Sequence, residues 1–562
     1  MKTAHKELLV FIYIGIIFLM LPVNEWLNII PVYRAIYMCS TLGLLLWIPI
    51  LLKGRLSLSW FDIAVSLLFA CGLFAAWKYG ILSEFVVYIH LYLAARILSF
   101  RPHYQKRLLV LLSVFGSIQS IIALLQWLQW IAPENSLFIV TGMFRNPATL
   151  GGLVACCVIA SWVYILYYRP KGVRKYIWWG MMSLQSLSLL LSDSRAAWLS
   201  TLLAVSALSL HRAHWKKGWE AGVFVLITAL FLAGSLYLYK PASARGRIMI
   251  WNVCIEMIQE YPILGSGWNT FAERYMPCQA RYMAMHPEED CSSFTSNNRF
   301  AFNEPLRIVC ETGCIGFIYV SVLIGALWFS CAGKKKWPFL FPVLVGWLVF
   351  SCFSYPCNVF LLSALLCVVV GSLASFSPVS FRHASCLHRL GWGLWGLLFV
   401  GTTHAFIPRC EAENALDDYF YAGKEEALKK TEACYLHLIH VRDFVYRYAK
   451  SLFLMEDYER CIPVLLQAIQ LYPSTDKYMD LGECYRQTGR SELAEACYKE
   501  ASRLLPCLVE PPYCLLLWYE QTGEREKAAE AAWQILHIKS PVRNETVERI
   551  KLYAKRYLEK RF

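Results

Sequence analysis

Apolar runs long enough to cross a bilayer, about 20 helical residues each, recur from the N-terminus to beyond residue 390. Thirteen such runs centre near Ile16, Leu44, Leu67, Ile89, Ile118, Ile159, Leu184, Leu203, Ile227, Leu323, Leu344, Leu366 and Leu397. The pattern predicts an all-α, polytopic transmembrane bundle of 12–13 spans. The first run, Leu8 to Val23, reads as an uncleaved span because no small-residue cleavage site follows it. Ser192-Asp193-Ser194-Arg195 interrupts an otherwise continuous stretch and makes the seventh and eighth spans the least secure. One long connection, roughly residues 240–303, separates the ninth and tenth spans. Within it Ile248, Trp251, Ile255 and Ile258 recur at helical spacing, which predicts an amphipathic helix lying on the membrane or on the bundle. Pro262 ends that helix, and Gly265-Ser266-Gly267 makes a turn.

The pattern changes after Phe406-Ile407-Pro408. The tail is charged, helical and repetitive. Leu481-Gly482, Tyr485, Gly489, Ala494, Tyr498, Ala501 and Pro506 fit the tetratricopeptide arrangement of small and aromatic positions. Pro473 and Pro506 mark adjacent copies 33 residues apart, and Tyr519, Gly523, Ala528 and Pro541 mark a following one. The domains are therefore expected at 1–408 (membrane, with the 240–303 loop) and 409–562 (repeat solenoid). Because each repeat contacts its neighbours, such a tail is expected to be separable and to bind a protein partner.

Composition agrees with the membrane reading: 57% of residues are hydrophobic and 17% charged, with mean hydropathy +0.43. The net charge of +14 does not point to nucleic acid. It collects in short loops (Lys53/Arg55, Arg101/Lys106/Arg107, Arg169 to Lys175, Arg212 to Lys217, Lys334 to Lys336, Arg382/Arg389) after every second span. That positive-inside spacing puts the N-terminus in the cytoplasm, and the 240–303 loop and the tail outside. Glu25, Glu134, Asn135 and Asp193 mark the opposite connections. The 21 cysteines are scattered, many within spans, and act as small apolar residues. Cys278 and Cys291 share the outer loop and could bridge. No paired C-x-x-C supports a zinc site, and His383-x-x-Cys386-x-His388 reads as chance; no metal or cofactor is expected.

Ionisable groups at membrane depth are costly and mark function. Arg195, in SDSRAAWLS, stands at the outer mouth of a span. Arg247, in RGRIMIW, lies one helical turn before Trp251. Two guanidiniums on one side of a membrane suit a pyrophosphate, since each donates paired charge-assisted hydrogen bonds. The alternative is that Arg195 pairs with Asp193 and Arg247 reaches lipid head groups.

These segments, followed by WNVCIEMIQEYPILGSGWNTF and FNEPLRIVCETGCIG, resemble the bacterial O-antigen ligase/polymerase family, in particular members with a tetratricopeptide tail. TGMFRNPATLGG, with Asn146, is similar to the family's glycine–aromatic–Asn-Pro segment. Asn303, nine residues, Gly313 and Gly316 keep the spacing of the family's third block, but Phe302 stands where that block has histidine. The resemblance spans roughly residues 100–375. It implies a metal-independent glycosyltransferase at the periplasmic face of the bacterial inner membrane. The donor is a glycan on undecaprenyl pyrophosphate. The acceptor is a hydroxyl of a lipid A core, a growing glycan or a protein. By position, Arg195 and Arg247 bind the pyrophosphate, with Trp251, Asn146 and Arg307 as further substrate contacts.

Asn303 and Glu304 begin a helix on which Glu304, Arg307 and Glu311 lie three and four residues apart. Either Arg307 holds the two carboxylates as an ion-pair ladder, or Glu304 or Asn303 faces the substrate, with Glu304 as base. Gly313 and Gly316 are expected to let the following span pack closely. His286 is a further loop candidate. Ligase, polymerase and protein oligosaccharyltransferase all fit, and a non-catalytic transporter or scaffold is the alternative of another class.

Overall fold

The structure is a computed structural model that describes residues 2–27, 31–51, 57–99, 103–212, 234, 241–286, 295–332, 338–376, 381–382, 385–422, 425–540 and 544–560. The expected span near Ile227, Cys291 of the possible bridge and the stretch Lys334 to Lys336 lie outside them.

The helices of the membrane part are α1 (Lys2–Leu27), α2 (Val32–Leu51), α3 (Trp60–Lys78), α4 (Leu82–Leu98), α5 (Tyr104–Trp127), α6 (Pro147–Tyr168), α7 (Val173–Leu191) and α8 (Arg195–Arg212). After helices α9 (Pro241–Glu260) and α10 (Phe271–Met285) come α11 (Glu304–Ala332), α12 (Phe341–Ser351), α13 (Phe360–Leu373) and α14 (Ser385–Ala422). Among the described residues four stretches, Trp60–Lys78, Tyr104–Trp127, Pro147–Tyr168 and Glu304–Cys331, are long and apolar enough to cross a membrane, and shorter apolar helices accompany them. Ser57–Leu58 pairs antiparallel with Phe381–Arg382. α14 continues through Pro408, so the expected domain boundary falls inside a helix.

α6 is the core: 83% of its apolar window is buried. Lipid is as apolar as leucine, so packing rather than exclusion of water holds such helices together. Gly151 and Gly152 make the packing close. A Cβ on Gly151 would meet that of Ser194 at 2.5 Å, and one on Gly152 would meet Phe350 at 2.5 Å. The pair seats α6 against the Ser192–Ser194 turn that launches α8, and against α12. That turn, which made the seventh and eighth spans insecure in the sequence, separates two helices.

Gly313 acts differently from expectation. Its φ of 64° and ψ of −169° break α11. The turn after Pro262 docks into the break: Ser266 N–H donates to Cys310 O, Gly267 N–H to Glu311 O, and Cys314 N–H to Pro262 O, each at 2.9 Å. A side chain on Gly313 would strike the Ile263 carbonyl at 2.2 Å. Gly313 therefore serves the outer loop. The atoms nearest a Cβ on Gly316 belong to Thr312 of its own helix.

On α9 the buried stripe is Met249, Ile250, Val253, Cys254 and Met257, while Ile248 and Ile255 are exposed and Trp251 and Ile258 half-buried. The expected apolar face is thus displaced around the helix. The stripe packs on Phe271, Tyr275 and Met276 of α10, and this cluster takes in Tyr472, Leu504 and Leu505 of the tail.

The tail consists of α15 (Glu425–Leu438) and the successive pairs α16 (Arg442–Leu454) with α17 (Tyr458–Leu471), α18 (Thr475–Gln487) with α19 (Ser491–Leu504), and α20 (Glu510–Thr522) with α21 (Arg525–His537). α22 (Glu545–Glu559) ends it. Gly482 sits against Tyr498, where a Cβ would come within 2.6 Å of the ring. The tail is not separate. Arg442 donates to Asn269 O and lies 3.8 Å from Glu273, which accepts from Tyr79 Oη at 2.9 Å. Thr475 N–H donates to Asn297 at 3.2 Å, and Arg409 to Gly80 O at 2.7 Å. Tail, outer loop and the α3–α4 connection therefore meet at one end of the bundle. Neighbour-only contact within a repeat array did not predict this, because the docking uses side chains at array ends and turns.

Candidate functional site

The same end of the bundle gathers most of the expected residues. Arg195 opens α8, whose first turn is fixed by Trp198 Nε1 donating to Leu189 O at 2.7 Å. Its guanidinium donates to Ser243 Oγ at 2.8 Å, which ties α8 to α9. Arg247 is one turn further along α9, with its guanidinium 5.7 Å from the centre of the Phe302 ring. Burial and the nearby Arg195 charge pull Arg247 down from the usual arginine range to about 10. It stays charged at neutral pH, and an anion beside Arg247 would offset the cost of its burial.

Phe302, where the resemblance leads one to expect histidine, lies just before α11. Its φ is 52°, uncommon for a bulky residue. The strained residue is clamped: Trp251 Nε1 donates to Ala301 O at 3.2 Å, and the Phe302 ring meets Tyr355 edge-on at 5.2 Å. Phe300 stacks on the other side of Tyr355, with centroids 4.3 Å apart. Asn146 caps α6, its Oδ1 accepting from Ala148 N–H at 2.8 Å, and its Nδ2 donates to Tyr355 Oη at 2.9 Å. The result is a wall of Phe300, Phe302 and Tyr355 beside two arginines. Burial raises the Tyr355 phenol, and Arg247 opposes that rise.

Glu304, Arg307 and Glu311 form the ladder. Arg307 Nε donates to Glu304 at 2.7 Å and Nη1 to Glu311 at 2.8 Å. The other Glu304 oxygen accepts from Cys357 N–H at 3.0 Å, and that of Glu311 from Phe271 N–H at 3.4 Å. Glu304 and Glu311 are 3% and 4% exposed. Both carboxylates are thus occupied by internal donors, and they tie α11 to the 352–359 connection and to the start of α10. Asn303 caps α11 by accepting from Leu306 N–H at 3.0 Å. His286 stacks on Tyr282 at 4.3 Å and bonds its carbonyl at 2.9 Å; its contacts are local to the end of α10. Among the described residues no three His, Cys, Asp or Glu side chains gather as metal ligands.

Sequence reasoning passed over Tyr355, Phe300 and Ser243. Tyr355 had one usable signal: it lies in SYPCN, a polar break between two apolar runs.

The fold and this site define a helical membrane protein whose two arginines lie at the end of the bundle where α9, α10 and the tail pack together. Residues 180–321 match the family model described as O-antigen ligase, so this segment is similar to the membrane glycan ligases of that family. The match contains Arg195, Arg247, Trp251, Asn303, Glu304 and Arg307, and ends before Tyr355 and the tail. No curated protein matches the chain.

Proposed function

We propose that the chain transfers a glycan from undecaprenyl pyrophosphate to an acceptor hydroxyl at the periplasmic face of the inner membrane. The observation that carries this is the convergence of Arg195 and Arg247, from two separate helices, beside an aromatic wall. Like charges held together favour a dianion. Aromatic faces suit the apolar faces of sugar rings.

The acceptor oxygen bonds to the anomeric carbon as the carbon–oxygen bond to pyrophosphate breaks. The electron pair leaves with the pyrophosphate, and the acceptor proton passes to the departing phosphate or to solvent. Arg195 and Arg247 neutralise the charge that develops on the leaving group, an interaction whose loss typically costs about 10²–10³ in rate. No metal is needed for that step. Glu304 contributes through the ladder rather than as a base, since both its oxygens already accept hydrogen bonds. Asn303 positions α11, and Asn146 and Trp251 position the aromatic wall.

The acceptor is a lipid A core, a growing glycan or a protein. The tail, read as tetratricopeptide repeats, presents a surface for a protein partner. A deletion strain separates the possibilities. Loss of long lipopolysaccharide with free polymer retained means ligase; single-repeat glycans mean polymerase; unglycosylated outer proteins mean protein transfer. An unchanged glycan profile on every surface carrier would overturn the proposal. A reporter active only outside the cytoplasm, fused after Phe562, should be active.

A further inference from the structure

We infer that the Tyr355 hydroxyl is a catalytic hydrogen-bond donor to the leaving pyrophosphate, standing in the site where the family block has histidine. This rests on the glycan-transfer reading above.

The inference follows from the direction of one hydrogen bond. An asparagine amide can be turned either way, and its neighbours decide which. Here Asn146 Oδ1 accepts from Ala148 N–H at 2.8 Å. Reversing the amide would set an NH₂ against that N–H. Nδ2 must therefore face Tyr355, and the phenol oxygen is the acceptor at 2.9 Å. The phenol proton is left to point elsewhere. Among the described residues no acceptor meets it. The ring cannot swing away easily, because Phe300 stacks on it at 4.3 Å and Phe302 meets it edge-on at 5.2 Å.

The charges around the hydroxyl are cationic: Arg247 acts on it directly, and Arg195 acts on Arg247. An anion seated beside Arg247 would accept the phenol proton in a hydrogen bond. Burial outweighs Arg247 and keeps the phenol above its ordinary range, so it remains protonated at neutral pH. It donates and cannot serve as base. The hydroxyl keeps its proton throughout, so no further bond is made or broken. Its hydrogen bond strengthens as the pyrophosphate gains charge on departure, which lowers the barrier more than it tightens ground-state binding.

The test uses the full-length protein in detergent with lipid-linked glycan extracted from the deletion strain. Release of undecaprenyl pyrophosphate is followed. Tyr355→Phe keeps the stacked ring and should melt like the wild type. Its turnover should fall about 10²-fold with donor affinity within about twofold. Turnover within about threefold of wild type would overturn the inference. Asn146→Asp gives a second reading. The aspartate still caps α6, but its carboxylate accepts the phenol proton and reverses the bond. Asn146→Asp should reduce turnover at least about tenfold in the wild-type background and far less in Y355F. An equal loss in both backgrounds would assign it to the added charge and overturn the proposed direction. Arg247→Ala on the same donor separates the two levels. If it is active, glycan transfer at this site fails as a whole; if it is inactive while Tyr355→Phe is normal, only the present inference fails.

Discussion

Arg307 and Arg247 lie at the same end of the bundle in opposite surroundings. Arg307 is bracketed by Glu304 and Glu311 at 2.7 and 2.8 Å. Its charge is cancelled within the protein, and the two carboxylates spend their other oxygens on the 352–359 connection and the start of α10. Arg247 rests on Phe302 and shares its neighbourhood with Arg195 and Tyr355. A buried charge with compensation built in is a fastener. Arg247, buried beside a second cation and an aromatic ring, is suited to receive an anion. The ladder carries the more conspicuous motif, yet the less conspicuous arginines carry the chemistry proposed here.

The largest expected effect is on activity. Replacing Arg247 with Ala should lower transfer by about 10²–10³ or more with little change in thermal unfolding. Lys should rescue poorly because it lacks the planar fork. An unfolded Arg247→Ala protein would erase the contrast with Arg307. Next in size is Arg307→Ala, which strands two buried carboxylates and should cost about 3–5 kcal/mol of stability. The measurement is the melting temperature in detergent and the amount recovered from membranes. If Arg307→Ala is stable and merely inactive, the ladder is part of the binding site.

Glu304→Gln sharpens the same comparison at a smaller scale. It keeps an acceptor for Cys357 N–H and weakens one charged bond, a change on the order of 1–2 kcal/mol. Transfer should stay within about tenfold of wild type once folded protein is matched, since a general base contributes about 10²–10⁴. A larger loss in correctly folded protein would restore Glu304 as base.

A further effect concerns the docked tail. Lys477 is 3% exposed and donates to Tyr472 O at 2.6 Å. Burial, with Arg299 and Arg442 nearby, lowers it to about 7. The unfolded chain keeps this proton up to the usual lysine range, so between pH 7 and about 10 it binds more protons than the folded state. Stability should therefore rise with pH across that window, by at most about 1.4 kcal/mol per unit. Lys477→Met should flatten the slope, and an unchanged slope would assign it to other groups. Truncation near Arg409 should loosen the cluster shared by α9, α10 and Tyr472, and with it the helix that carries Arg247.

The sequence by itself carried the helical membrane pattern, the segments similar to the O-antigen ligase model, and the Glu304–Arg307–Glu311 spacing. Those properties are local: hydropathy over one run, a motif within one segment, or residues three and four apart on one helix. It misplaced the buried stripe of α9, because several faces of that helix are apolar and only the partner α10 selects one. It misread Gly313, because a helix break is recognised by what fills it, here a turn nearly fifty residues earlier. Tertiary structure alone decided that Asn146, Phe302 and Tyr355 meet across long stretches of chain, that Glu304 is already occupied, and that the tail packs on the outer loop. Such contacts depend on how helices are seated against one another, and no periodicity along the chain encodes which side chains then face each other.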